Sequence, residues 1–173
     1  MTNDPLIQRE APHRKAAHRK AAHREATHRE AAQYRWEGVN VLPYKEDERA
    51  LFKAVTRQVL FSDPEQSSEL RYFEVAPGGF STLERHQHTH SVLILRGSGH
   101  CLVDGAVREL NTNDLVSVPP MAWHQFRATQ NEPLGFLCMV NSTRDKPQLP
   151  TAEQFAALQR DPAIAAFLRG KPS

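Results

Sequence analysis

Between residues 70 and 140 the chain is interrupted every few positions by residues that form turns. These are Pro77-Gly78-Gly79, Gly97 and Gly99, Asp104-Gly105, Asn113 and Pro119-Pro120. The intervening stretches are short and rich in Val, Leu, Ile and Phe, too short for helices of ordinary length but suited to strands. Strands are expected at 55–61, 70–76, 91–96, 100–103, 107–110, 115–118, 123–128 and 134–140, with another carrying the chain to His86. Pro77-Gly78-Gly79 reads as a turn and Asp104-Gly105 as a hairpin. Many short strands joined this way build a barrel or a sandwich and exclude a helical bundle.

The segment between Gly78 and Gly97 adds chemistry. Glu84, His86, His88 and His90 occupy every second position, which on a strand puts all four on one face. His124 follows on another strand-like run. Imidazoles beside a carboxylate suit Fe(II), Mn(II), Ni(II) or Zn(II), and such ions are reactive where coordination positions stay open. The alternative is a polar strand face that happens to be rich in histidine.

These segments resemble the two motifs of the cupin superfamily. The first family motif runs G-x5-H-x-H-x3-4-E-x6-G, and here Gly78-x5-Glu84-x-His86-x3-His90-x6-Gly97 keeps every spacing. Glu stands where the family has its first His, and His where it has Glu. The second motif, G-x5-P-x-G-x2-H-x3-N, maps onto Asn113-x5-Pro119-x-Met121-x2-His124-x3-Ala128, so only Pro119 and His124 remain. Fifteen residues separate Gly97 from Asn113, as in small single-domain bacterial cupins. The resemblance implies an all-β fold, an antiparallel jelly-roll barrel, with one divalent transition metal held by Glu84, His86, His90 and His124. His88 is the reserve ligand. Four protein ligands would leave two octahedral positions for substrate or dioxygen. An Fe(II) dioxygenase acting on a small organic molecule is the activity the family favours, with Mn, Ni, Zn or Cu as other possible ions. A redox-neutral lyase or isomerase and a non-catalytic binding cupin are the alternatives. Arg71, Tyr72, Trp36 and Trp123 are candidates for the pocket mouth, and Phe126, Ala128, Val92 and Ile94 for its apolar wall.

The ends of the chain are of different material. Residues 1–33 form a charged arm, helical or disordered, containing a five-residue repeat (HRKAA, HRKAA, HREAT, HREAA). A five-residue step turns about 500° around a helix, so its histidines make no stripe and no apolar face docks it. Its deletion is expected to leave folding and metal content unchanged. The arm carries seven Lys/Arg against four Asp/Glu, which accounts for the net +2 of the whole chain. With no aromatic residues interleaved among those charges, no nucleic-acid partner is expected. Residues 34–148 hold the barrel and its lead-in, a short helix running into the strand at 55–61. Residues 149–173 read as two helices packing outside the barrel or on a second subunit, one opening on a Thr151/Gln154 capping box with Phe155 and Leu158 as its apolar face, and one on Asp161-Pro162.

At 173 residues the chain is long enough for one core. Cys101 and Cys138 lie in apolar runs and read as buried thiols. No apolar run is long enough for a membrane span or signal segment, so a cytoplasmic protein is expected. Runs such as SVLILR and FLCMV are apolar on both faces, which predicts a homodimer.

Overall fold

The computed structural model describes residues 27–44 and 53–170. It is an antiparallel β-barrel with two C-terminal helices. A small hairpin, β1 (Ala31–Ala32) with β2 (Arg35–Trp36), precedes β3 (Leu42–Pro43), β4 (Lys53–Asp63) and β5 (Ser68–Phe80). Next come β6 (His90–Arg96), β7 (Gly99–Val103), β8 (Ala106–Leu110), β9 (Leu115–Val118), β10 (His124–Ala128) and β11 (Leu134–Asn141). The strand order is β8-β7-β10-β5-β11-β6-β9, with β4 also pairing with β5 and β3 with β4. Every pairing is antiparallel. Residues 13–26 of the five-residue repeat and the lead-in helix expected after Tyr44 lie outside the described residues, while the last unit, from His28, runs into β1.

Side chains alternate along the long central strand. Arg71, Phe73 and Val75 point into the barrel, where Phe73 and Val75 join Val92, Ile94, Phe126, Phe136 and Val140 in the core. Burying apolar area at about 25 cal/mol per Å² is what holds such a sheet curled. On the outer face Tyr72 stacks on Tyr34 at 5.9 Å and meets Trp36 at 5.1 Å. There Glu74 accepts from Arg96 at 3.1 Å and Tyr72 at 2.9 Å, and pairs with Arg35 at 3.8 Å.

Three expectations change. Pro77-Gly78-Gly79 lies inside β5 instead of turning the chain. Gly78 takes φ +67° and its N–H donates to Thr129 O, while a Cβ at Gly79 would come within 2.5 Å of Lys53 O. The glycines therefore let two backbones approach and the strand continue. The second change lies at 81–89, where β5 gives way to a loop carrying only the bridges Glu84↔His124 and Arg85↔Gln148. The loop competes with a strand ladder through side chains: Ser81 Oγ accepts from Phe126 N–H, and Gln125 donates to Ser81 O. The third concerns Phe155, expected to dock: it is exposed, and α1 (Ala152–Leu158) buries no residue.

The helix starts match the sequence. Thr151 and Gln154 form a reciprocal capping box, and Asp161 caps α2 (Pro162–Leu168) by accepting from the N–H groups of Ala163 and Ile164. Ile164 and Phe167 of α2 pack with Leu83 and Leu102 as a second cluster outside the barrel. Trp123 joins that cluster beneath Arg85, whose guanidinium lies 4.5 Å from its ring, and does not line the main cavity. Among the described residues, no helix is long and apolar enough to cross a membrane.

Candidate metal centre

Three separate pieces of chain deliver three imidazoles to one point inside the barrel. His86 comes from the 81–89 loop, His90 opens β6 and His124 opens β10. Glu84 and His124 exchange backbone hydrogen bonds at 3.1 and 3.0 Å, fixing the loop to β10 just before His86. His86 O then accepts from Met121 N–H at 2.7 Å, so the residues flanking Pro119-Pro120 are tied to the same loop. One ligand atom from each of His86, His90 and His124 lies within 4.8 Å of the others.

Hydrogen bonds decide which nitrogen each ring offers. His86 Nδ1 donates to His88 O at 2.8 Å, leaving the lone pair on Nε2, and that buried atom has no hydrogen-bond partner. His124 Nδ1 donates likewise to Ala122 O at 3.0 Å. His90 Nδ1 lies 3.5 Å from Cys138 Sγ, a weak N–H···S contact, and its buried Nε2 also lacks a hydrogen-bond partner. Buried polar nitrogens left this way are costly and call for a missing partner. Burial first, then the neighbouring His124, holds His86 down to about 4, and the same two causes push His90 lower still. Both rings are therefore neutral near pH 7, the form that binds a metal. A divalent transition ion suits such a set of donors.

Of the remaining expected ligands, Glu84 is buried, lines the same cavity and accepts from Tyr44 O–H at 3.3 Å. It stands outside the group of three converging donors. His88 lies flat against His86, with ring centres 3.6 Å apart and planes 6° apart. Its Nδ1 meets Asp145 Oδ1 at 2.7 Å. Asp145 was invisible to spacing arguments. It sits in a polar segment after β11, yet its carboxylate also accepts from Gln87 N–H at 2.9 Å and so closes the turn between the ligands. Those contacts, Gln87 first, hold its carboxyl down to about 2.

The cavity around these groups has an empty volume, mouth included, of about 650 Å³. Phe73, Phe126 and Phe136 give it an apolar wall, and Cys138, Arg71 and Arg144 also line it. Of the mouth candidates from the sequence Arg71 lines this cavity, and of the wall candidates Phe126 does, while Val92, Ile94 and Ala128 lie in the core. Tyr72 and Trp36 stack on the outer face of the barrel.

A profile of the family described as Cupin domain matches residues 71–140. The curated protein 1-methylthio-D-xylulose 5-phosphate methylsulfurylase of Rhodospirillum rubrum is 60% identical over 139 residues, covering 80% of this chain and 89% of that protein. A crystal structure of a cupin-2 domain from the same organism superposes with a TM-score of 0.78 at 57% identity, over 85% of this chain and 99% of that one. A cupin 2 conserved barrel domain protein from Rhodopseudomonas palustris gives 0.78 at 54% identity, over 82% and 98%.

Proposed function

The chain belongs to the cupin family, and we propose that it is a metal-dependent enzyme that removes the methylthio group from a 1-methylthio pentulose 5-phosphate. The observation that carries this reading is the convergence of His86, His90 and His124, with the Nε2 atoms of His86 and His90 buried and unpartnered. The specific substrate follows the relative that is 60% identical and named for that sugar phosphate.

His86, His90 and His124 would hold the ion, with Glu84 as fourth ligand. His88 stays outside as the group that orients the turn through Asp145. A divalent ion there supplies Lewis-acid polarisation of a substrate oxygen; Fe(II) and Mn(II) suit the mixed donors.

The chain's own residues do the rest. Phe73, Phe126 and Phe136 keep water from one side of the cavity and offer the methylthio group an apolar wall. Cys138 accepts weak hydrogen bonds from Arg71 and His90, and burial pushes its thiol up, so Sγ keeps its proton at neutral pH.

The reaction balances with a thiol as acceptor. The C1–S bond breaks with its electron pair passing to C1 and the adjacent carbonyl. The methylthio sulfur joins the acceptor sulfur, and the acceptor's proton ends on C1. The products are a 1-deoxy sugar phosphate and a methyl disulfide.

The sulfur chemistry in the relative's name favours this reading over an Fe(II) dioxygenase. Metal-loaded protein, incubated without oxygen with 1-methylthio-D-xylulose 5-phosphate and a thiol, should yield 1-deoxy-D-xylulose 5-phosphate and the mixed disulfide. Turnover that instead requires and consumes oxygen would restore the dioxygenase. Binding without turnover under either atmosphere would make the protein a binding module.

A further inference from the structure

The barrel buries an arginine, and nothing in a metal site explains it. Arg71 is only 6% exposed, on the inward face of β5, with its guanidinium 5.1 Å from the ring of Phe73. Taking a guanidinium out of water is expensive unless its donors are met. Here they are poorly met. Nε makes no hydrogen bond, its nearest carboxylate oxygen, Glu69 Oε1, lies 3.6 Å away, and Nη2 reaches only the sulfur of Cys138 at 3.7 Å. Arg144, on the same cavity, approaches the same Glu69 oxygen at 3.1 Å and donates to Asn141 O.

Two guanidiniums therefore share one carboxylate oxygen, Glu69 Oε1, among the described residues, and the donors of Arg71 stay poorly matched. The nearby Asp145 carboxylate already accepts from His88 and from the N–H of Gln87.

We propose that Arg71 and Arg144 form the seat for the substrate's phosphate. The proposal rests on the reading that this cavity takes a small sugar phosphate. Paired guanidiniums match phosphate oxygens through parallel N–H donors, which a single ammonium cannot do. The position is right as well. Arg71 Nη2 touches Cys138 Sγ, which touches His90 Nδ1, so the arginine and the metal ligand are at most about 7 Å apart. Three carbon–carbon bonds of about 1.5 Å and a phosphoester link reach that far. A sugar bound through its oxygens at the histidines would lay its phosphate on the arginines. The seat thereby fixes the sugar's direction as well as its charge.

The test is calorimetric titration of the metal-loaded full chain with D-xylulose 5-phosphate and with D-xylulose, neither of which carries a methylthio group to lose. The unaltered protein should prefer the phosphorylated sugar by at least tenfold. Arg144→Ala should weaken phosphorylated-sugar binding by about 10–100-fold, the range for losing a charge-assisted pair, and leave D-xylulose unchanged. Arg71→Lys, which keeps the charge but loses the planar fork, should lose part of the preference without the folding risk of a buried truncation. An unaltered protein that binds both sugars equally would overturn the seat, as would two variants with an undiminished preference. A preference that depends on these arginines, in a protein that leaves 1-methylthio-D-xylulose 5-phosphate unreacted, would sink the transfer reaction and leave the seat standing.

Discussion

The histidines around the cavity differ in what holds the second nitrogen, and the donors of His86, His90 and His124 are the ones that converge. His86 and His124 donate Nδ1 to backbone carbonyls, which fixes Nε2 toward the centre, whereas His88 spends its Nδ1 on a carboxylate. Replacing His86, His90, His124 or Glu84 with Ala should each strip a metal bond and leave the purified protein largely empty. His88→Ala should lower affinity by about 10–100-fold, as the loss of an outer support does. Metal analysis of Glu84→Ala and His88→Ala side by side decides between this set and a slipped one. A full Glu84→Ala protein beside an empty His88→Ala protein would show that His88 is the ligand. Acid should act on the same rings. The fold holds His86 at about 4, below its ordinary 6.5, so folding favours the neutral ring. That contribution is complete above about pH 6.5 and is lost as pH falls toward 4, because the unfolded chain takes up the proton first. Urea midpoints of metal-free protein should therefore drop between pH 7 and pH 4.5. A flat profile would show that burial of His86 does not govern its titration.

Among the elements, the strands of the barrel were readable because turn residues bracket them, and both helix starts because their caps are written locally. The loop at 81–89 was not. Its alternation of Glu and His imitates a strand, while the contacts that make it a loop come from Ser81, Gln125 and Asp145, two of them distant in sequence. The pocket-lining residues could still be named, since Glu84, His86, His88 and His90 all reach one cavity. What the spacing could not supply was the inward direction of Arg71 together with the arrival of Arg144 and Asp145, set by the pairing of β5 with β11 and by the chain beyond it. Gly97, between β6 and β7, shows how tight these junctions are. It sits at φ +70°, and a Cβ there would fall 1.7 Å from Pro133 O. Both strain and collision oppose Gly97→Ala, which should lower stability by about 1–3 kcal/mol. A denaturant midpoint equal to that of the unaltered protein would contradict this account.

In the molecule as a whole, the outer surface of β6, β9 and β11 remains unusually apolar. Leu93 and Leu115 are register partners, 37% and 69% exposed, and Met139 on the adjoining strand is 54% exposed. Scattered apolar residues are ordinary on a surface, but a contiguous group suggests a partner. A homodimer through this face is the expected assembly. Light scattering at micromolar concentration should give about twice 19.6 kDa, and Leu115→Asp should return it to the monomer. A 19.6 kDa particle for the unaltered chain would refute the expectation.

The stacked rings behind β5 also set how far the chain can be trimmed. Tyr34 lies on Tyr72, Arg96 sits 4.5 Å over Tyr34, and Gln58 donates to Tyr34 O at 2.9 Å. This clasp lies on the back of the strand whose front carries Arg71. Shortening the chain to begin at residue 27 should spare the clasp, and melting temperature and metal content should hold. Beginning instead at residue 37 removes both outer rings, each aromatic contact worth about 0.5–1.5 kcal/mol, and uncovers Tyr72. That shorter protein should melt several degrees lower. A cut after residue 33, expected from the sequence to be harmless, removes β1 but keeps Tyr34 and Trp36. On these outcomes the folded unit is expected to begin at the aromatic clasp, ahead of the first strand of the barrel.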